Sequence, residues 1–107
     1  MKVEKKRVLL VGMARSGIAA AELLLSHGAI PILYDAKKAE SFGEELAPLR
    51  GTACEFHLGE DPFLLMENAD LVVISPGVPI DAPIAKAARE NGIPLIGELE
   101  LGYSLSQ

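Results

Sequence analysis

Two uninterrupted apolar runs dominate the pattern of hydrophobic and polar positions. Residues 8–11 (VLLV) end at Gly12, and residues 71–74 (LVVI) end at Ser75. Continuous apolar runs of this length are typical of parallel strands that are covered on both faces. Shorter apolar segments predict three further strands, over residues 30–34, 52–58 and 94–96.

Helical spacing is clearest directly after the first strand. Residues 16–27 carry an apolar stripe formed by Ile18, Ala21 and Leu25. His27-Gly28, with a proline shortly beyond, is a typical helix stop signal. This segment therefore predicts a helix that packs its stripe on the sheet.

Four later segments also predict helices. Residues 37–47 have Phe42 and Leu46 at i, i+4 spacing, which indicates an exposed amphipathic helix that Pro48 helps to end. Asp61-Pro62 is a good helix start for residues 63–68. The remaining two segments begin at Asp81, with Ile84, Ala87 and Ala88 facing the core, and at Glu98, running to Ser106.

Strands that alternate with helices imply right-handed βαβ units and an open parallel sheet. The sequence therefore predicts a Rossmann-like, doubly wound α/β fold of about five mostly parallel strands with helices on both faces. At 107 residues, 50% of them hydrophobic, residues 1–107 form a single domain with one core. This composition excludes a disordered chain.

The charge balance narrows the classes of partner. The net charge of −5 disfavours binding to nucleic acid and to anionic membranes, so an anionic ligand needs a local device such as a helix N-terminus.

The basic stretch before residue 8 resembles a secretory signal, but its apolar run is too short. The single cysteine, Cys54, excludes an internal disulfide and is expected to be a small core residue. We expect a cytoplasmic monomer.

The candidate chemistry lies in loops that follow the strands, where ligands bind to such sheets. Residues 12–17 (GMARSG) have the spacing of a G-x-G-x-x-G turn with Ala14 in the middle. Gly12 permits the tight turn, Gly17 allows close helix packing, and the helix N-terminus favours a phosphate. The alternative is a compact turn without a ligand.

Two further loops carry candidate binding groups. Asp35 follows the second strand, where a carboxylate binds a ribose hydroxyl, accepts an N–H from a base, or caps the next helix. Residues 75–79 (SPGVP) form a rigid turn, because prolines flank a glycine. That turn either presents backbone groups to a flat ring or simply connects strand to helix.

The other polar residues do not form a catalytic set. We expect His27 and His57 to be structural, and Glu98 and Glu100 to begin a solvated helix. The sequence has no convincing nucleophile–base pair, no metal cluster and no G-x-x-x-x-G-K-[ST] phosphate loop. We therefore expect no catalytic residue and no metal site.

Four segments, in this order and spacing, resemble one family: residues 8–21 (VLLVGMARSGIAAA), Asp35, residues 73–79 (VISPGVP) and residues 97–101 (GELEL). The family is that of the UDP-N-acetylmuramoyl-L-alanine:D-glutamate ligases (MurD) of bacterial peptidoglycan synthesis. The resemblance covers only the family's N-terminal domain, which holds the UDP part of the substrate. It implies contacts from Arg15, Ser16 and Gly17 to the diphosphate, from Asp35 and Ala36 to the uracil, and from Ser75, Pro76 and Gly77 to the uridine.

The resemblance also implies what this chain lacks. In the full enzyme, ATP with Mg²⁺ phosphorylates the substrate carboxylate, and D-glutamate attacks the acyl phosphate to form an amide. The family places ATP, Mg²⁺ and D-glutamate on its central and C-terminal domains, so residues 1–107 need no cofactor and are expected to be inactive alone. The activity implied is that of an ATP-dependent ligase in cell-wall biogenesis, and hence in cell shape and division.

Two other functions fit the residues. Gly12, Gly17 and Asp35 are also compatible with an NAD(P)-binding module of a dehydrogenase or regulatory protein, although Ala14 and the proline-bounded loop count against it. A scaffold domain whose glycines serve only the fold is the other alternative.

Overall fold

The computed structural model describes residues 2–12, 16–35, 43–59, 66–75 and 83–105. Within these residues, strands alternate with helices along the chain. The strands are β1 (Arg7–Val11), β2 (Ile30–Asp35), β3 (Glu55–Leu58), β4 (Leu71–Ile74) and β5 (Leu95–Gly97). The helices are α1 (Ser16–Ser26), a 3₁₀ helix (Gly43–Leu49), α2 (Pro83–Glu90) and α3 (Glu98–Leu105).

The five strands of the described residues form one parallel sheet in the order β3-β2-β1-β4-β5. This arrangement confirms the predicted doubly wound α/β fold. The chain first winds from β1 towards β3 and then returns to the other side of β1 at β4. The strand order therefore switches at the β1–β4 pair, and sheets of this kind bind ligands past the carboxyl ends of the strands at such a switch.

Side-chain alternation along the strands divides the core between the two faces of the sheet. Val8 and Leu10 of β1 pack with α1, the 3₁₀ helix and α3, whereas Leu9 and Val11 pack with α2 and the turn at Met66. Among the described residues, no helix has the length and apolar character needed to span a bilayer.

The helix faces differ from the predicted stripes. In α1 the buried side chains are Ala20, Ala21 and Leu24, while the predicted Ile18 and Leu25 are only half-buried. Helix α1 contacts the sheet, the 3₁₀ helix and α3, so its buried surface is broader than a single stripe. In α2, Ile84 and Ala88 face the core as predicted, but Ala85 replaces Ala87 as the third buried residue.

The segments around the predicted helices 37–47 and 63–68 also differ. The described part of the first is the 3₁₀ helix Gly43–Leu49, which contains Pro48 rather than ending before it, and buries Leu46 and Leu49. The second lies partly outside the described residues, which show one 3₁₀ turn at 66–68. The third strand begins at Glu55 rather than at Thr52.

A polar cluster joins three strands at the amino edge of the sheet. The Arg7 guanidinium forms a two-pronged pair with the Glu55 carboxylate, with 3.0 Å between Nη2 and Oε1. Arg7 Nε also donates to the Asn68 carbonyl at 3.1 Å, and the Arg7 backbone N–H donates to the Asp70 carboxylate at 2.9 Å. Because β1 and β3 are not neighbours, the Arg7–Glu55 pair spans β2 and ties the edge strand to the centre of the sheet.

Candidate functional site

The candidate site begins where β1 and β4 end together. Val11 is paired with Ile74, so Gly12 and Ser75 are adjacent at the carboxyl edge, at the switch in strand order. Gly12 has a φ of +66°, which favours glycine, and its N–H donates to the Tyr34 carbonyl at 3.2 Å. This bond continues the pairing of β1 with β2 as far as Gly12.

Helix α1 begins at this same edge. Its first residue is Ser16, and Gly17 is buried in its first turn. The N-terminus of an α-helix offers N–H groups without a helical partner and the positive end of the helix dipole. In a domain of net charge −5, this backbone device suits an anionic group.

Asp35 completes the described part of the edge. It is the last residue of β2 and is half-buried, and alternation along the strand places it on the α1 face with Leu33. Its backbone carbonyl accepts the N–H of Gly59 at 2.8 Å, which fixes the end of β2 against the end of β3.

The structure thus brings five predicted site residues to one edge of three adjacent strands. Gly12 follows β1, Asp35 ends β2, Ser75 follows β4, and Ser16 and Gly17 begin α1. The other predicted residues lie outside the described residues: Ala14, Arg15, Ala36, Pro76 and Gly77.

The remaining polar candidates lie elsewhere in the fold. Glu100 Oε1 is 3.5 Å from the Gly97 N–H at the start of α3, and Glu100 is exposed, in agreement with a solvated helix start. His57 Nε2 lies 3.5 Å from Glu55 Oε1 on the edge strand β3. Cys54 is buried in the core as predicted, and burial raises the pKa of its thiol to about 11.

Sequence reasoning missed one surface feature, an apolar groove between α1 and α3. The groove encloses about 400 Å³, and Leu99 and Tyr103 on its rim are the exposed large apolar side chains of the described residues. The signal was present in the sequence, because Leu99 and Tyr103 have the i, i+4 spacing that places two side chains on one helix face.

Comparisons with known proteins agree with this architecture. The family model described as "Mur ligase MurD-like, N-terminal domain" matches residues 6–97. Two solved structures share the fold. A short-chain dehydrogenase/reductase from Veillonella parvula has a TM-score of 0.58 and 19% identity, over 87% of this chain and 46% of its own. A chorismate mutase/shikimate 5-dehydrogenase fusion protein from Clostridium acetobutylicum has a TM-score of 0.62 and 12% identity, over 98% of this chain and 46% of its own. At these identities the likeness concerns the fold alone.

Curated relatives named UDP-N-acetylmuramoylalanine–D-glutamate ligase are much more similar in sequence. The protein of Thermoanaerobacter sp. (strain X514) is 39% identical over all of this chain and 24% of its own length. The protein of Koribacter versatilis is 45% identical over 94% of this chain and 22% of its own length. This chain thus spans about a quarter of the length of these relatives. It belongs to the family of Mur ligase MurD-like N-terminal domains.

Proposed function

We propose that this chain holds the UDP part of UDP-N-acetylmuramoyl-L-alanine for a longer ATP-dependent ligase that adds D-glutamate in peptidoglycan synthesis. One observation carries the proposal: Gly12, the start of α1, Asp35 and Ser75 converge at the switch point of the sheet. The family relationship supports this substrate class.

Each group at this edge has a role in the proposed complex. The start of α1 and its N–H groups meet the diphosphate, since free N–H groups and the positive end of the helix dipole favour an anion there. Asp35 accepts an N–H from the uracil, which distinguishes this base from one that presents only acceptors at that position. Ser75, which follows β4 at the same edge, contacts the uridine.

The chemistry of ligation belongs to the rest of the longer protein. ATP, Mg²⁺ and D-glutamate bind there, so residues 1–107 act as a monomeric cytoplasmic substrate domain and catalyse no ligation alone. The corresponding test is phosphate release from ATP in the presence of both substrates, for which we expect activity from the longer protein only.

Calorimetric titration tests the binding role directly. We expect UDP and UDP-N-acetylmuramoyl-L-alanine to bind, and Asp35→Asn to weaken UDP binding about 10- to 100-fold, because a hydrogen bond to a carboxylate contributes about 1.5–3 kcal/mol. Glu90→Gln is the matched control, since Glu90 is an exposed carboxylate at the far end of α2. Equal losses in the two variants, or no loss in either, would contradict the role of Asp35.

The NAD(P)-binding alternative gives the opposite pattern of ligands. Enhanced NADH fluorescence with no response to UDP would support a dinucleotide-binding module and overturn the proposal. If neither ligand binds or raises the melting temperature, the glycines at this edge serve the fold alone.

A further inference from the structure

The groove between α1 and α3 is a second surface, and none of the five site residues described above lines it. Ala19, Ala20 and Leu23 of α1 form one wall. The other wall belongs to α3, and the groove is predominantly apolar. We call it the α1/α3 groove; its α3 residues are Glu98, Leu99, Leu101, Gly102 and Tyr103.

Helix α3 has apolar side chains on two opposite sides. Leu101 and Leu105 are 1% and 5% exposed and pack on the sheet, whereas Leu99 and Tyr103 are 83% and 71% exposed. Two residues of helix separate the sides, a rotation of about 200°. Contiguous apolar side chains that are exposed to water mark an interaction surface. Among the described residues, only the side of α3 that carries Leu101 and Leu105 is covered.

Gly102 indicates that another backbone packs closely against the exposed side of α3. It lies inside α3, where glycine disfavours the helix relative to alanine, and a Cβ atom added there meets no atom within 4 Å. Packing among the described residues therefore gives no reason for the missing side chain. A glycine in a groove between two rims allows another backbone to approach closely.

The family comparison indicates what approaches. The N-terminal-domain model ends at Gly97, the last residue of β5, so α3 is the first element beyond it. The longer relatives have about four times the length of this chain. Helix α3 therefore stands where the first domain of such a protein passes into the remainder.

We propose that the α1/α3 groove is the seat for an apolar segment of the polypeptide that follows α3 in the longer protein. This inference rests on the proposed function, which makes the chain the first domain of such a protein. A second copy of this chain is disfavoured, because pairing the groove with itself would bring two Glu98 side chains and two domains of net charge −5 together.

Thiol labelling of the longer protein, expressed from the reading frame beyond Gln107, tests the proposal. Leu99→Cys places a thiol on the rim of the groove, and Lys86→Cys places the control thiol on the exposed side of α2. Each labelling rate with N-ethylmaleimide is measured by peptide mass spectrometry and divided by the rate for the same thiol in urea. Native Cys54 adds little background, because it is buried.

We expect Leu99→Cys to be labelled about tenfold more slowly than Lys86→Cys in the native longer protein. Equal rates at the two positions overturn the proposal. Protection of position 99 that disappears on dilution assigns the groove to a second copy and also overturns it, as does a reading frame that stops at Gln107.

A second variant guards against a substitution that itself opens the interface. In the longer protein carrying Leu99→Glu, we expect amides of α3 to exchange with deuterium about tenfold faster than in the unaltered protein, while UDP affinity stays the same. Unchanged exchange counts against the groove as a seat. UDP titration of the unaltered protein separates the two ideas: protection at position 99 without UDP binding overturns the proposed function alone.

Discussion

Removing the charge of Glu55 tests whether the amino edge of the sheet stabilises the fold. In Glu55→Gln the side chain keeps its size, but the two charge-assisted hydrogen bonds from Arg7 are lost or weakened. Removing one partner of a fully buried ion pair destabilises the fold by about 3–5 kcal/mol, whereas an exposed pair contributes about 0–1 kcal/mol. The Arg7 and Glu55 side chains are 31% and 37% exposed, so we expect a loss of about 1–2 kcal/mol at neutral pH.

The same pair makes part of the stability depend on pH. Hydrogen bonding from Arg7 lowers the pKa of Glu55 below its ordinary value of 4.5, against an opposing effect of burial, and His57 adds a smaller lowering contribution. A carboxyl whose pKa is lower in the folded state stabilises the fold fully above its unfolded pKa. That contribution is lost as the pH falls through the folded pKa. The difference in the free energy of unfolding between the unaltered protein and Glu55→Gln should therefore become smaller below pH 4.5.

Urea unfolding followed by far-UV circular dichroism measures both effects, and the absence of tryptophan makes this the convenient probe. Thermal unfolding followed by the same signal at neutral pH should give Glu55→Gln a melting temperature about 5–15 °C lower. Glu44→Gln is the matched control, because the Glu44–Arg50 pair is 3.7 Å apart and 89% and 61% exposed, and we expect no measurable change. An equal loss in both variants, or a difference for Glu55→Gln that persists undiminished in acid, would refute the reasoning.

Two further predictions concern the core. Leu24 is 0% exposed, so Leu24→Ala should lower the free energy of unfolding by about 2–5 kcal/mol. Leu99 is 83% exposed, so Leu99→Ala should leave the free energy of unfolding of this chain nearly unchanged. Urea unfolding of both variants measures the two effects. The Cys54 thiol should react with a thiol reagent only when the domain opens, because burial raises its pKa to about 11, and rapid labelling of the native chain at neutral pH would contradict this.

Local sequence patterns predicted the strands well, since burial on both faces leaves an apolar run that needs no tertiary information. Residues 71–74 were predicted with their observed bounds, and β1 differs by Arg7 alone. Helix faces were harder to predict, because they depend on what packs around the helix. Leu24 of α1 is fully buried although Ile18 and Leu25 formed the predicted stripe, since α1 contacts α3 as well as the sheet.

The candidate site shows a similar division between local and tertiary information. Sequence order alone places Gly12, Asp35 and Ser75 after strands, and in a parallel sheet all such residues share the carboxyl edge. Their proximity depends on β1 lying between β2 and β4, which is a property of the strand order. The uncovered side of α3 was not anticipated, because a helix with two apolar sides cannot reveal from sequence which side meets the sheet.

The two edges of the sheet use polar groups in opposite ways. At the amino edge, the side chains of Arg7, Glu55 and Asp70 are committed to hydrogen bonds within the fold. At the described carboxyl edge, Gly12 contributes only backbone, and α1 begins there with N–H groups that the helix itself cannot satisfy. In the proposed complex, a diphosphate at the carboxyl edge would therefore break none of these amino-edge contacts. On this reasoning, Glu55→Gln should lower stability without changing UDP affinity in the folded protein, and Asp35→Asn should lower UDP affinity with a smaller cost in stability.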